Sequence, residues 1–392
     1  MIRYLTEEER GLSRDLWEEA FPEDSRSFDD YYFSEKIREN RILALCTDEE
    51  GVSAASIESM IQLNPYEIQA GSCIWSVDYL VGVATRKNRR HRGYMRRLLL
   101  RMMEDMRREG MPFCFLMPAA EAIYRPFGFT YIFDQPRWSL KENGLNRKNA
   151  AELIGETARW MNQWLQERYQ VFSLRDENYV TMLLEELSSE NGVLEALYQD
   201  GRMAGVQGIW GLEKREQRLL YAEDGLLKQE GEPRPAIMAR IISPEEFVKA
   251  VARKPPKAGE EQETEISLFL EDPLIPENQG LWTWHLTQDG SSLEKVDQEK
   301  ARQFFCRETA DGTQKQGLLR LTITELTSWL FGYELPKAAE PWAELVQPLQ
   351  GVFLDAEKDA GCQKRRSGVR DLQKGDEAYA GIGTVKAVDQ GE

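Results

Sequence analysis

The hydrophobic pattern of the first 140 residues predicts strands and helices in a mixed order. Short apolar runs predict strands at 2–6, 42–46, 52–63, 73–83 and 113–117, and a last strand begins near Phe129. Helices are predicted over 7–20 and 28–39, after residue 93, and briefly over 119–127. This order predicts an α+β domain with a mixed, mostly antiparallel central sheet flanked by helices.

A polar, glycine-bearing stretch at 141–149 predicts a linker, and a second unit of similar design follows it. Helices are expected at 150–169 and 178–189, with a strand at 171–175 between them. Two strands joined by an Asp-Gly turn lie within 194–211, so this unit repeats the hairpin of the first.

From Ile237 the pattern changes again and predicts a third unit. A strand leads into a helix for which Ser243 is the expected N-cap, and Glu246 is expected to complete a capping box. Strands and helices then alternate to about residue 356. The core of this unit is expected to be packed with side chains, with a lipid pocket as the alternative.

Length and charge narrow the possible functions. A chain of 392 residues can hold two or three domains, and 41% of its residues are hydrophobic. Its 67 acidic and 50 basic side chains give a formal net charge of -17. This charge disfavours nucleic acid and anionic membranes as partners, and it favours a cationic small molecule.

Histidine and cysteine usage predicts no metal site. The chain has two histidines, His91 and His285, and five scattered cysteines without a CxxC pair. An odd cysteine count, the lack of a signal peptide and the lack of a membrane-length apolar run predict a cytoplasmic protein.

Residues 81–102 carry the most distinctive local sequence, an apolar strand that passes through a basic turn into an amphipathic helix. Ten Lys or Arg residues lie between Arg86 and Arg108. The first N–H groups of a helix lack intrahelical acceptors and, with the positive end of the helix dipole, favour an anion. Gly93 permits close approach of the backbone. The segment therefore predicts a phosphate-binding site, with a solvated basic helix face as the alternative.

The turn at 90–95 resembles the Arg/Gln-x-x-Gly-x-Gly/Ala signature of the GNAT acetyltransferases, with Met95 where Gly or Ala is usual. In the enhanced intracellular survival (Eis) branch of this family a larger apolar residue is common at that position, so the turn resembles that branch. The resemblance implies acetyl-CoA as cosubstrate, with its pyrophosphate on the backbone amides of the turn. His91 is expected to face solvent and to supply only its amide. The implied binding residues are Val81, Gly82, Val83, Arg89, Arg90, His91, Arg92, Gly93, Tyr94 and Met95.

A second element, Tyr124 followed by Phe127, Gly128 and Phe129, resembles the Tyr-x-x-Phe-Gly-Phe segment of the same family. The resemblance implies that Tyr124 protonates the departing CoA thiolate. A tyrosine hydroxyl suits this acid role because its reference pKa is about 10. Backbone N–H groups around 80–83 are expected to stabilise the oxyanion, and the side chains of Val81 and Val83 are expected to line the pantetheine arm.

Most of residues 1–356 resemble the Eis type, which implies a GNAT domain at 1–140, a second GNAT-like domain without a cofactor motif at 150–235 and a sterol carrier protein-like domain at 236–356. Residues 360–392 are rich in Gly, Lys and Asp without periodicity, and this composition predicts a disordered tail. In the Eis type the terminal carboxylate is the general base. Because residues follow the usual end here, the base stays open. The candidates are Asp355, Glu357, Asp359, Glu392 and a water chain.

Two functional hypotheses follow. The first is an acetyl-CoA-dependent N-acetyltransferase that acts on a primary amine of a cationic small molecule, such as an aminoglycoside or polyamine, or on a lysine side chain. The second is a protein without catalysis that senses acyl-CoA or binds lipid. The resemblance also implies a hexamer.

Overall fold

The computed structural model of the protein describes residues 1–47, 53–141, 144–257, 262–310 and 317–354. The predicted tail and the four carboxylates considered as general base lie outside these residues. The described residues form nine α-helices. They are α1 (Arg14–Ala20), α2 (Arg26–Ser34), α3 (Tyr94–Arg108), α4 (Glu121–Tyr124), α5 (Ile154–Gln166), α6 (Glu177–Ser189), α7 (Pro244–Phe247), α8 (Gln298–Ala310) and α9 (Ile323–Leu330).

Nineteen strands accompany these helices in the described part of the chain. They are β1 (Ile2–Tyr4), β2 (Arg41–Cys46), β3 (Ile57–Ala70), β4 (Cys73–Thr85), β5 (Phe113–Leu116), β6 (Thr130–Leu140), β7 (Asn146–Asn149), β8 (Val171–Ser173), β9 (Val193–Gln199), β10 (Arg202–Trp210), β11 (Glu216–Ala222), β12 (Leu227–Ile241), β13 (Ala252–Arg253), β14 (Thr264–Glu271), β15 (Gly280–Thr287), β16 (Gly290–Lys295), β17 (Leu318–Thr322), β18 (Val346–Gln347) and β19 (Val352–Phe353).

A nine-stranded sheet organises the N-terminal part, with the order β1-β2-β3-β4-β5-β12-β6; in addition, β8 pairs with β3, and β19 pairs with β8. Strands β2, β3 and β4 are antiparallel neighbours, whereas β4 and β5 are parallel because α3 connects them. The predicted mixed α+β fold is confirmed.

Helix α3 covers one face of this sheet because its apolar residues recur at helical spacing. It packs in a cluster, here called the α3 cluster, with side chains from several strands and from the segment after β5. Its buried members are Leu43, Leu45, Ile61, Leu63, Leu80, Leu98, Leu99, Met102, Met103, Met106, Cys114, Leu116, Tyr124, Phe127, Phe129, Met238, Ile242 and Ile275. Helices α1 and α2 cover the opposite face through Trp17, Phe28 and Tyr32, which belong to the main core.

A four-stranded sheet, β11-β10-β9-β7, forms the middle unit together with α5 and α6. The third unit holds another four-stranded sheet, β16-β15-β14-β17, and the rings of Trp284 and Trp329 pack in its core with their centroids 6.0 Å apart. The expected packed interior of this unit, with a lipid pocket as the alternative, stays a prediction.

Some strands pair with neighbours that their position in the sequence does not predict. Strand β12 follows the middle unit in sequence but lies between β5 and β6 of the first sheet, and it crosses the boundary proposed at 235/236. Strand β8 pairs with the far end of β3. Within the predicted linker, Asn146–Asn149 pairs with β9 as β7. These pairings are long-range, and local apolar patterns do not specify them.

The predicted capping box at the third unit is wrong. Ser243 is the N-cap of α7, but its side chain makes no cap hydrogen bond. Instead its Oγ accepts a hydrogen bond from Nη1 of Arg107, at 3.1 Å, and Arg107 also pairs with Glu245 at 2.6 Å. The hydroxyl therefore binds the end of α3 to the third unit.

Candidate active site

A β-bulge at Gly82 distorts the middle of β4. Met60 lies opposite Ala84 and Gln62 lies opposite Val81, so two residues of β4 face one residue of β3. Gly82 has a φ of +57°, a left-handed conformation that favours glycine. The Trp17 ring packs directly against it, since a Cβ placed on Gly82 would lie 2.7 Å from Cζ3 of Trp17.

The bulge also reverses which face of the sheet the following side chains occupy. Val81 is buried in the main core with Trp17, whereas Val83 packs against the α3 cluster. In a regular strand residues two apart share a face, and the extra residue removes that relation. The prediction that Val81 and Val83 together line one ligand is therefore wrong for their side chains, which lie on opposite faces.

Strands β4 and β5 separate just before the bulge. They pair at Tyr79 with Phe115 and at Leu80 with Leu116, where β5 ends, while β4 continues to Thr85. The edge of β4 beyond Leu80 is thus not covered by β5. An edge of this kind offers backbone N–H and C=O groups to a ligand amide or to a developing oxyanion.

The turn after β4 leads into α3 as the sequence predicts. Gly93 is the N-cap of the helix with a φ of +72°, and a Cβ added there would meet no atom within 4 Å. Within the described part of the chain, the backbone N–H groups of Tyr94, Met95 and Arg96 have no hydrogen-bond acceptor. These donors and the open space above Gly93 fit an anionic group such as a diphosphate.

The basic residues of this segment fall into two sets. Five make ion pairs with the protein itself: Arg86 with Asp15 and Glu19, Arg89 with Glu58, Arg101 and Arg108 with Asp105, and Arg107 with Glu245. The other five form no ion pair among the described residues and are exposed: Lys87, Arg90, Arg92, Arg96 and Arg97. The uncompensated positive charge is therefore concentrated at the N-terminal end of α3.

Tyr124 closes α4 and lies in the α3 cluster, 8% exposed, with its ring 6.0 Å from that of Phe129. A short 3-10 turn, Arg125–Phe127, follows and ends at Gly128, whose φ is +78°. Tyr94, Met95 and Val83 pack against the same cluster. The tyrosine, the start of α3 and the separated end of β4 thus share one apolar cluster.

Sequence reasoning missed a group of carboxylates on the other side of the bulge. Nε1 of Trp17 donates to Oδ2 of Asp24 at 3.2 Å, and Tyr32 stacks on the indole at 4.4 Å. Asp29 is 5% exposed, and burial, with the nearby Glu18 carboxylate, raises its pKa to about 6. Because the Trp17 ring contacts Gly82, these acids lie one side chain away from the bulge.

The two histidines lie in different surroundings. His91 is an exposed turn residue with a φ of +63°, as the sequence predicts. His285 lies on β15 with its Nδ1 3.0 Å from Oε1 of Glu265. The described residues contain no group of three or more His, Cys, Asp or Glu side chains that could hold a metal ion. None of the helices in the described ranges is long and apolar enough to cross a membrane.

Comparison with known families agrees with this geometry. Residues 1–132 match the family of acetyltransferase (GNAT) domains, and residues 245–356 match the family of sterol carrier protein domains. No curated protein matches the sequence.

Solved structures share the fold over most of the chain. A probable N-acyltransferase from Enterococcus faecalis has 16% identity and a TM-score of 0.65, over 93% of this chain and 95% of that one. A GCN5-related N-acetyltransferase from Kribbella flavida has 15% identity and a TM-score of 0.62, over 91% and 98%. Eis1 from Mycobacterium abscessus has 11% identity and a TM-score of 0.60, over 91% and 100%.

The chain thus combines a segment that matches the GNAT acetyltransferase domains with a later segment that matches the sterol carrier protein domains. Its fold is shared with Eis1, and the predicted resemblance is confirmed at this level.

Proposed function

We propose that the protein transfers the acetyl group of acetyl-CoA to a primary amine of a cationic small molecule or of a lysine side chain. One observation carries the proposal: the uncovered end of β4, the N-terminus of α3 and Tyr124 border one apolar cluster. A diphosphate on the turn at 90–95 directs the pantetheine arm along β4 and the thioester toward Tyr124.

The chemistry assigns a role to each group. The neutral amine attacks the thioester carbonyl carbon, and backbone N–H groups at 80–83 stabilise the oxyanion. When the carbon–sulfur bond breaks, the Tyr124 hydroxyl gives its proton to the thiolate, and the amine loses a proton to a base. The products are the acetamide and CoA thiol. The base stays open, because Asp355, Glu357, Asp359 and Glu392 lie outside the described residues.

The class of acceptor follows from charge. Asp24 and Asp29 lie beside Trp17, which packs on the bulge, and the chain carries a formal net charge of -17. An excess of carboxylates favours an ammonium group over a phosphorylated ligand. We further propose, from the resemblance to the Eis type, that the protein works in the cytoplasm as a hexamer.

Titration calorimetry and turnover assays test the proposal. CoA is expected to bind, and acetylation of a panel of polyamines and aminoglycosides is expected with acetyl-CoA. Tyr124→Phe should lower kcat and leave the CoA affinity nearly unchanged, because the hydroxyl acts on the leaving group. A protein that binds no CoA at millimolar concentration is not an acetyltransferase. Tight CoA binding without turnover would instead favour an acyl-CoA sensor.

A further inference from the structure

A fully buried ion pair joins the third unit to the first sheet. Nη2 of Arg240, on β12, donates to both carboxylate oxygens of Asp272, at 2.7 and 2.8 Å. Asp272 follows β14 directly, and both side chains are 0% exposed. Asp272 also accepts a hydrogen bond from Nδ2 of Asn278 at 2.9 Å. Removing two charges from water is costly, so the attraction between Arg240 and Asp272 does not by itself show that the pair stabilises the fold.

The other arm of Arg240 reaches the element that carries Tyr124. Nη1 of Arg240 donates to the backbone carbonyl of Phe127 at 2.7 Å. The guanidinium occupies the space beside Gly128, where a Cβ would lie 2.1 Å from Nη1. Phe127 ends the turn that follows Tyr124 immediately, so this hydrogen bond holds the turn three residues after the tyrosine.

The loop after Asp272 adds a second contact with the same element. Ile275 is 2% exposed and belongs to the α3 cluster, which includes Tyr124 and Phe127. The backbone N–H of Ile275 points to Oδ1 of Asp272 at 3.3 Å. The sterol carrier protein domain thus contributes both the anchor of Arg240 and part of the packing around the tyrosine.

We propose that Arg240 is a positioning residue for Tyr124 and that the sterol carrier protein domain holds Arg240 through Asp272. The inference rests on the proposed function. A general acid must lie within hydrogen-bond reach of the thiolate, and a displacement of about 1 Å can cost about 100-fold in rate. The pair therefore makes turnover depend on the correct seating of the third unit against the first.

The test uses a double variant, because removing one member of a buried pair leaves an unpaired charge that can prevent folding. Arg240→Met with Asp272→Asn removes both charges and leaves an oxygen for the neighbouring donors. The matched control is Arg218→Met with Glu186→Gln. Arg218 and Glu186 form another buried pair, with Nε and Oε1 2.7 Å apart, between β11 and α6 in the middle unit.

The expected result is a fall in kcat of about 10- to 100-fold for the Arg240 and Asp272 double variant, with CoA affinity within about twofold of the wild type. The control double variant should keep its kcat within about twofold. In the Tyr124→Phe background, the Arg240 and Asp272 changes should lower kcat little further, because the hydroxyl that they would displace is no longer there. A general loss of structure would multiply the two effects.

Each outcome decides between the two proposals. If Tyr124→Phe slows turnover but the Arg240 and Asp272 variant matches the control, the positioning role is wrong and the acetyltransferase function stands. If the two losses multiply fully, Arg240 acts on the fold and not through Tyr124. If the wild type binds CoA and acetylates no amine, the proposed function fails and the positioning role fails with it.

Discussion

Replacing Gly82 by alanine should damage the site more than replacing Gly71, another glycine with a left-handed backbone. The new Cβ would lie 2.7 Å from Cζ3 and 3.1 Å from Cε3 of Trp17, and 3.3 Å from Cγ of Gln62. Trp17 is 0% exposed and stacked on Tyr32, so the indole has little room to move. The residue would also have to keep a φ of +57° with a side chain.

The size of the destabilisation follows from the backbone strain at Gly82 and the overpacking against Trp17. A left-handed backbone costs a residue with a side chain about 1–2 kcal/mol, and overpacking a filled core costs about 1–3 kcal/mol. Gly82→Ala should therefore destabilise the protein by about 2–5 kcal/mol. Gly71 is the control because its φ is +56° and a Cβ there would lie 3.3 Å from the Ala250 carbonyl oxygen. Gly71→Ala should cost about 1–2 kcal/mol.

Calorimetry and steady-state acetylation distinguish the two variants. Gly82→Ala should lower the unfolding temperature more than Gly71→Ala, and its kcat should fall at least about 10-fold because the N–H groups at 80–83 shift. Gly71→Ala should keep its kcat within about twofold. Equal unfolding temperatures and an unchanged kcat for Gly82→Ala would refute the role of the bulge.

Two further predictions concern charge. Burial raises the pKa of Asp29 to about 6, so the folded protein holds this proton more tightly than the unfolded chain. As the pH rises from about 4 to 6 the wild type should lose up to about 3 kcal/mol relative to Asp29→Asn; equal pH profiles in denaturation would contradict this. Arg92→Gln should weaken CoA binding about three- to five-fold at low salt, and 0.5 M salt should erase most of the difference. Arg108 pairs with Asp105 near the C-terminal end of α3, so Arg108→Gln should leave CoA affinity unchanged. If Arg92→Gln and Arg108→Gln weaken CoA binding equally, the anion does not bind at the N-terminal end of α3.

Local signals made much of the first domain predictable. The apolar runs of β2, β4 and β5 and the periodicity of α3 lie within short windows, and these elements form where they were expected. Strand β3 was predicted at 52–63 but begins at Ile57 and continues to Ala70. The turn at 90–95 and the segment around Tyr124 were found because each resembles a short family signature that contains a glycine. These glycines, Gly93 and Gly128, both have a positive φ in the structure.

Long-range pairings could not be predicted in this way. The apolar residues of β12 suit any buried strand, and only the assembled sheet shows that it lies between β5 and β6. In the same way, the partners of Arg86 lie on α1, some 70 residues earlier in the chain. Two signals were available but unused: Gly82 inside a strand indicates a bulge, and Asp29 shares a helix face with Tyr32 and Phe33.

The affinity for CoA of two alanine variants at opposite ends of α3 tests the central claim most directly. Gly93 precedes the helix and Gly110 follows it; both have a φ of +72°, and a Cβ at either would meet no atom within 4 Å. The two changes should therefore cost the same backbone strain, about 1–2 kcal/mol. Titration calorimetry should show at least about 10-fold weaker CoA binding for Gly93→Ala, where the Cβ enters the diphosphate site, and wild-type affinity for Gly110→Ala. Equal affinities for the two variants would contradict the account.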